Sequence, residues 1–289
     1  MQIFSNLLFW WSNIFLLALS FYVIFKPTKI FHLSHAFSIT LSAYCVYFFS
    51  GGHLSVFSVI FLALVGAAAF GMANEALFYR PLRGAKDAGL KMLILSLGIY
   101  ILFQNLLSIL FDDDIKPLSN ELFSGKYDLS GVFYTRVQLI SLCVAMAIFL
   151  FTAFLWNRTR LGKAIRAISE NPELSRIFGI PKERIILLAF ALGSVYAGMA
   201  GILIGFDTGI TPTMGFSLLL YGIVAMIIGG TESLWGIAVG ALILAAAQTL
   251  SAYYLDTKWT DAVTYLILII FLIFRPYGVS GARIRKVEI

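Results

Sequence analysis

Charge is scarce in this chain. Asp, Glu, Lys and Arg make up 12% of its 289 residues, against about 25% in soluble domains. With 60% hydrophobic residues, a soluble globule could not cover its own surface, so the composition is that of a membrane protein. Cysteine is almost missing too: Cys45 and Cys143 sit inside apolar runs, which reads as packing and not as a disulfide or metal pair. His32, His35 and His53 are too few and too badly spaced for a zinc motif. No Gly-x-Ser-x-Gly is present, and the nearest string to a phosphate-binding loop, "GAKDAGLK", fails its spacing. An enzyme of its own is therefore not expected here, and any nucleotide would have to be bound by another chain. The net charge of +6 is confined to short loops between apolar runs, as membrane orientation requires, and no aromatic-basic groove accompanies it to suggest nucleic acid. Residues 1 to 25 lack a basic leader and an Ala-x-Ala cleavage site, so they read as a retained span.

A helix needs about 20 apolar residues to cross the bilayer core, and a backbone in lipid must satisfy its own hydrogen bonds. Nine candidates follow: 7 to 25, 37 to 49, 54 to 78, 89 to 111, 137 to 156, 185 to 205, 214 to 228, 236 to 254 and 261 to 274. The second and seventh are too short to cross comfortably.

The loops orient the spans. Seven Lys/Arg fall in 157 to 184, and Arg80, Arg83, Lys86 and Lys91 in 79 to 91; both loops should be cytoplasmic. The stretch between the spans ending near 111 and starting near 137 holds five acids and three bases, which fits the outer face. Alternation then puts 26 to 36 and the tail "RIRKVEI" inside, and 206 to 213 and "TKWTD" outside. The N-terminus is expected outside and the C-terminus in the cytoplasm.

Two segments echo each other. "HAFSITLSAYCVYFFSGG" (35 to 52) and "MGFSLLLYGIVAMIIGG" (214 to 230) each open on a small residue before Phe-Ser and close on Gly-Gly. Each is second in a long, short, long series, and the charges run them in opposite directions, so an inverted repeat of a transporter is expected. Ser96, Gln104, Asn105 and Gln248 read as helix-to-helix bonds, Gly193, Ala197, Gly198 and Gly201 as close packing, and Glu75 as paired with Arg80 or Arg83 at the rim. His35 reads as a hydrogen-bonded structural histidine. Nearly all charges avoid the middle of the spans, which suggests a conduit moved by something else.

The polar stretch "TRLGKAIRAISENPELSRIFGI" (159 to 180) carries helix signals of its own. Ile165 and Ile168 share one side; Asn171 reads as an N-cap, Pro172 as N1 and Glu173 as a first-turn acid. Leu174, Ile177 and Phe178 follow at i, i+3 and i+4, with Gly179 placed to end the helix. Such a stripe needs a partner surface, its own spans or the lipid interface.

With its continuation "PKERI", that stretch resembles the cytoplasmic loop of permease subunits of branched-chain amino acid ABC importers, the LivH-type family, through Gly162, Arg166, Ala167, Gly179 and Ile180. "NEALFYRPLRG", "LSLGIYILFQN" and the ending "RPYGVSG" are similar to further motifs of that family in the same order, over about residues 15 to 281. The resemblance implies an all-α polytopic permease, one transmembrane domain over 1 to 289 with a coupling segment at 157 to 184, in a bacterial inner membrane. It implies as partners two ATP-binding subunits, which would carry ATP and magnesium, a second permease subunit and an extracytoplasmic solute-binding protein. No cofactor is expected on this chain. In the coupling segment Leu174, Ile177 and Phe178 would supply the buried contact, Arg166, Glu170 and Arg176 its polar rim, and Gly179 the end of the helix. The solute is expected to be a branched-chain or other amino acid; urea or a short amide is the alternative within the family, and a stand-alone secondary transporter or a membrane anchor the alternatives outside it. Pathway residues are expected to be Ser34, His35 and Ser38 in the first copy and Thr211, Thr213 and Ser217 in the second, where hydroxyls and helix-end dipoles can receive a zwitterion. The chain departs from the family at "HLSHA", where His32, Ser34 and Ala36 replace Asn, Ala and Gly, and at "GGTESLWG", where Glu232 and Trp235 stand at positions ordinarily Gly and often Pro. Both places are expected to lie near the pathway. Ser175 stands where relatives commonly have Ala.

Overall fold

The computed structural model describes residues 2–52, 54–129 and 132–281; His53 and the tail "RIRKVEI" lie outside the described residues. In chain order the elements are α1 (Gln2–Thr28), α2 (His35–Phe49) and α3 (Val56–Ala73), which continues through a π-helical turn (Asn74–Tyr79) into α4 (Arg80–Leu82). Next come α5 (Ala88–Phe111), the hairpin β1 (Lys126–Leu129) and β2 (Val132–Thr135), α6 (Arg136–Arg158), α7 (Arg160–Glu170) and α8 (Pro172–Ile177). The chain ends with α9 (Lys182–Thr208), α10 (Met214–Gly229), α11 (Leu234–Tyr254) and α12 (Thr260–Phe274).

Among the described residues seven helices are long and apolar enough to cross a bilayer, and α2 and α10 are the two shorter apolar ones. These are the nine runs of the sequence. Several observed helices start before those runs, because capping side chains set their first turns: Thr135 and Gln138 form a reciprocal capping box ahead of α6, and Ser233 accepts from the Gly236 N–H ahead of α11, whereas Ser55, accepting from the Ser58 N–H, starts α3 two residues inside its run.

One difference from an all-helical reading is the hairpin, paired antiparallel from Lys126 opposite Thr135. Its sequence signal is aromatic and β-branched residues on either side of Ser130-Gly131, a pattern the surrounding helical runs obscure.

The repeat is visible in who packs on whom. α1 packs on α9; α1 also packs on α10 and α11, while α9 packs on α2 and α3. Within the halves α2 lies on α3 and α10 on α11, and the two short helices touch each other. Directions are opposite in the two halves. α1 ends where Lys26 meets Glu232, and α9 begins at that same end, where α4 and α9 are joined by the Arg80–Glu183 ion pair. The end holding Lys26, Arg80 and α7 is called the basic end below. At the opposite end Ser50, Leu54, Asn120 and Phe206 surround one small cavity, and Lys116 and Ile210 exchange backbone bonds at 2.9 Å. The loops thus sort to two ends as the charge alternation requires.

Backbone approach sets the core. Gly193, Gly198 and Gly201 of α9 face Ser20 and Ile24 of α1, Ser42 of α2 and Ile39 of α2 so closely that a Cβ would collide at each. This is helix packing by small residues, which substitutes for a hydrophobic driving force inside lipid.

Candidate functional site: the exposed helix at the basic end and the open face of α10

The turn from α6 to α7 is tight. Thr159 caps α7 through the Gly162 N–H at 3.2 Å, and Gly162 lies against the Leu155 and Trp156 backbone with no room for a side chain. Ile165 and Ile168 are then fully buried against the bundle, so α7 is anchored. α8 is different. Asn171 Oδ1 accepts from the Glu173 and Leu174 N–H groups at 3.1 and 2.9 Å. At the other end Gly179 takes φ +73°, its N–H bonds the Arg176 carbonyl, and the Ile180 N–H bonds the Ser175 carbonyl, a Schellman closure. A short helix capped at both ends thereby lies on α7 and α9 with Leu174, Ile177 and Phe178 of its outer face exposed at 48%, 79% and 76%. Arg176 is exposed beside them, and Ser175 turns inward, donating to the Asn171 carbonyl at 2.8 Å. Ser175 is thus absent from the outward face. Arg166 and Glu170 are placed elsewhere: both border a cavity beside α1, together with Lys26 and Glu232. In that cavity burial, and then the neighbouring Lys26, pull the Lys29 ammonium below its ordinary range, with Glu232 opposing.

The first-copy residues are sealed. Ser34, His35 and Ser38 have no solvent exposure. Ser34 Oγ shares hydrogen bonds with Tyr79 Oη (3.0 Å) and His32 Nδ1 (3.2 Å), and His32 Nδ1 with Tyr79 Oη (2.8 Å). His35 Nε2 bonds Ser20 Oγ at 3.1 Å, and Ser38 donates to Ser194 Oγ at 3.4 Å. The physical reason is the non-helical entry to α2. Irregular backbone at membrane depth must be satisfied by protein, and the Leu33 N–H finds Ser96 Oγ at 3.2 Å while Ser34 also donates to Asn74 at 3.4 Å. The π-helical turn brings Asn74 and Tyr79 to that entry, and the described residues leave these three pathway candidates fully buried.

The second copy is open. Thr213 and Ser217 are exposed and Thr211 half-buried. Thr213, Ser217 and Tyr221 follow at i, i+4 and i+8, one face of α10. Phe216 stacks on Tyr100 of α5 at 5.2 Å to one side, and Tyr221 donates to the Asp261 carboxylate in the first turn of α12 on the other. Next to that bond is a cavity of about 450 Å³ lined by Asn6, Tyr221, Gln248, Thr249, Thr260 and Asp261. Asn6, Tyr221 and Asp261 were not legible as a set, because they come from three distant helices. Gln248 does join helices as its sequence setting suggests, donating to Thr264 of α12 at 2.8 Å. Glu75 pairs with Arg83. Glu232 and Trp235 prove to lie at the basic end, where Glu232 meets Lys26 and Trp235 packs edge-on against Phe149 of α6; they are a helix length from Thr213.

Comparison with known proteins decides the family. The family described as the permease component of branched-chain amino acid transport systems matches residues 3–272. The chain belongs to this family. It is similar to the high-affinity branched-chain amino acid transport system permease protein LivH of Salmonella typhimurium, 33% identical over 226 residues, 76% of this chain and 72% of that one. It is similar to BraD of Pseudomonas aeruginosa, a permease protein of the same description, at 31% over 224 residues, with the same coverage of both chains. The fructose import permease protein FruF of Bifidobacterium longum is 30% identical over 144 residues, 46% of this chain and 40% of that one. The membrane-permease nature of this chain follows from the family and its apolar helices; the sugar permease among its relatives leaves the solute to be argued.

Proposed function

We propose that this permease is one membrane-spanning subunit of an ATP-driven importer for amino acids, branched-chain ones first, and that α8 is its coupling helix. The observation that carries the reading is α8 itself: capped at both ends, lying on α7 and α9, and presenting Leu174, Ile177 and Phe178 to water. An apolar face that its own chain does not cover is a docking surface, and separate ATP-binding subunits fit it. The basic end is then cytoplasmic, by the rule that Lys and Arg stay inside, with the N-terminus outside. Solute would pass along the open face of α10, where Thr213 and Ser217 meet a second permease subunit. The 450 Å³ cavity beside Tyr221 and Asp261 is within the range of about 300–1,000 Å³ for small-molecule sites. Ser34, His35 and Ser38 would act from behind, fixing the start of α2 whose dipole end lies against α10. The resemblance to LivH and BraD favours amino acids over the sugar of FruF, since it covers far more of the chain.

The test is uptake by proteoliposomes. With both permeases, the ATP-binding subunits and the solute-binding protein present, labelled leucine is expected to accumulate only when ATP is supplied. Accumulation by this chain alone, without ATP, would make it a stand-alone transporter. Accumulation of a sugar in place of leucine would overturn the solute but not the coupling.

A further inference from the structure

Two cavities on the flank of α1 share walls. The one at the basic end, about 540 Å³, is bordered by three cations and two carboxylates: Lys26, Lys29, Arg166, Glu170 and Glu232. The other is smaller and apolar, bordered by Trp11, Phe15, Met146 and Ala238. Phe149 and Trp235 border both.

Within the charged part, Lys26 donates to Glu232 at 3.1 Å and to the Thr231 carbonyl at 2.8 Å. Lys29 and Arg166 have no carboxylate at ion-pair distance among the described residues. The lining therefore carries one surplus positive charge, facing the basic end. The apolar part is bordered by Met146 and Trp235, which are 45% and 70% exposed on the flank of a membrane bundle. Its length is informative. From Trp11 to Lys26 α1 rises about 22 Å, and half of a bilayer with its headgroups is about 20–22 Å. A charged cavity and an apolar one of about 70 Å³ that together span one leaflet along α1 describe a single kind of occupant. Basic pockets between spanning helices recognise acidic lipid headgroups in this way, and Trp235, 70% exposed at the basic end, is the kind of residue that anchors at the interface.

We propose that this cleft binds one anionic phospholipid of the leaflet at the basic end, its phosphate between Lys29 and Arg166 and an acyl chain along Trp11, Phe15 and Phe149. The surplus positive charge of the lining favours a headgroup of net negative charge over a zwitterionic one.

Native mass spectrometry of the full chain, equilibrated with equal phosphatidylglycerol and phosphatidylcholine, tests this. One phosphatidylglycerol is expected to stay bound. Lys29→Gln with Arg166→Gln should lower the preference for it about thirtyfold. Ala238→Trp, which fills the apolar slot and leaves the cations, should release the lipid as well; if either variant fails to elute as folded protein, the other decides. Equal retention of the two lipids by the unaltered chain, or unchanged retention in a folded variant, would overturn the proposal. So would displacement of the lipid by millimolar inorganic phosphate, which would make the site one for a soluble anion.

Discussion

The double variant Ile177→Asp, Phe178→Asp is expected to reach the membrane at the normal level and to lose its ATP-binding subunits. Both side chains are about three-quarters exposed, so the isolated chain gains little from them and loses little without them. In a complex the balance reverses. Each large apolar side chain taken out of water contributes about 1.5–3 kcal/mol, and the variant would also press two carboxylates into the contact. Losing the apolar part alone corresponds to roughly a 10²–10⁴-fold weaker association. Co-purification of the ATP-binding subunits with tagged permease reads this directly. Intact complexes with normal uptake would contradict the role given to α8.

The second large effect concerns the packing of the two halves. Gly201→Ala should sharply reduce folded protein, while Gly66→Ala should leave it unchanged. A Cβ at Gly201 would strike the Ile39 carbonyl and come within 2.8 Å of its side chain, whereas at Gly66 it meets nothing within 4 Å. Because the obstacle at Gly201 is backbone of α2, a rotamer change cannot relieve it. The helices must part, at a cost of about 1–3 kcal/mol or more. Since α2 and α9 belong to opposite halves, the loss would strike the contact that relates the two repeats. Size-exclusion profiles of the two variants in detergent, run side by side, measure it; equal profiles would show that the α2–α9 approach is looser than described.

What the sequence discloses and what it hides divide along a physical line. Apolar run length is a local property, so the seven long helices and the short α2 and α10 are all legible, and so is the sorting of loops by charge. Caps are local too: Asn171 and Gly179 mark the ends of α8 as their residue types suggest. Burial is not local. Ser34, His35 and Ser38 look like pathway groups because hydroxyls beside a short helix can serve a zwitterion, yet the turn at Asn74–Tyr79 folds Tyr79 and Asn74 over the chain entering α2. Nothing in the order of residues announces that turn. In the same way Arg166 and Glu170 share a sequence neighbourhood with α8 but face α1, since α7 is rotated by the burial of Ile165 and Ile168. The open face of α10 needs Tyr100, Tyr221 and Asp261 from three helices to be recognised.

The most direct measurement of the central claim is photo-cross-linking from α8 in assembled complexes. A benzophenone side chain in place of Phe178 is expected to give a covalent product with the ATP-binding subunit, and one in place of the inward-facing Ser175 to give none. Products from position 178 confined to lipid or to this chain's own helices would contradict the account, because α8 would then be an interfacial helix and not the place where force enters.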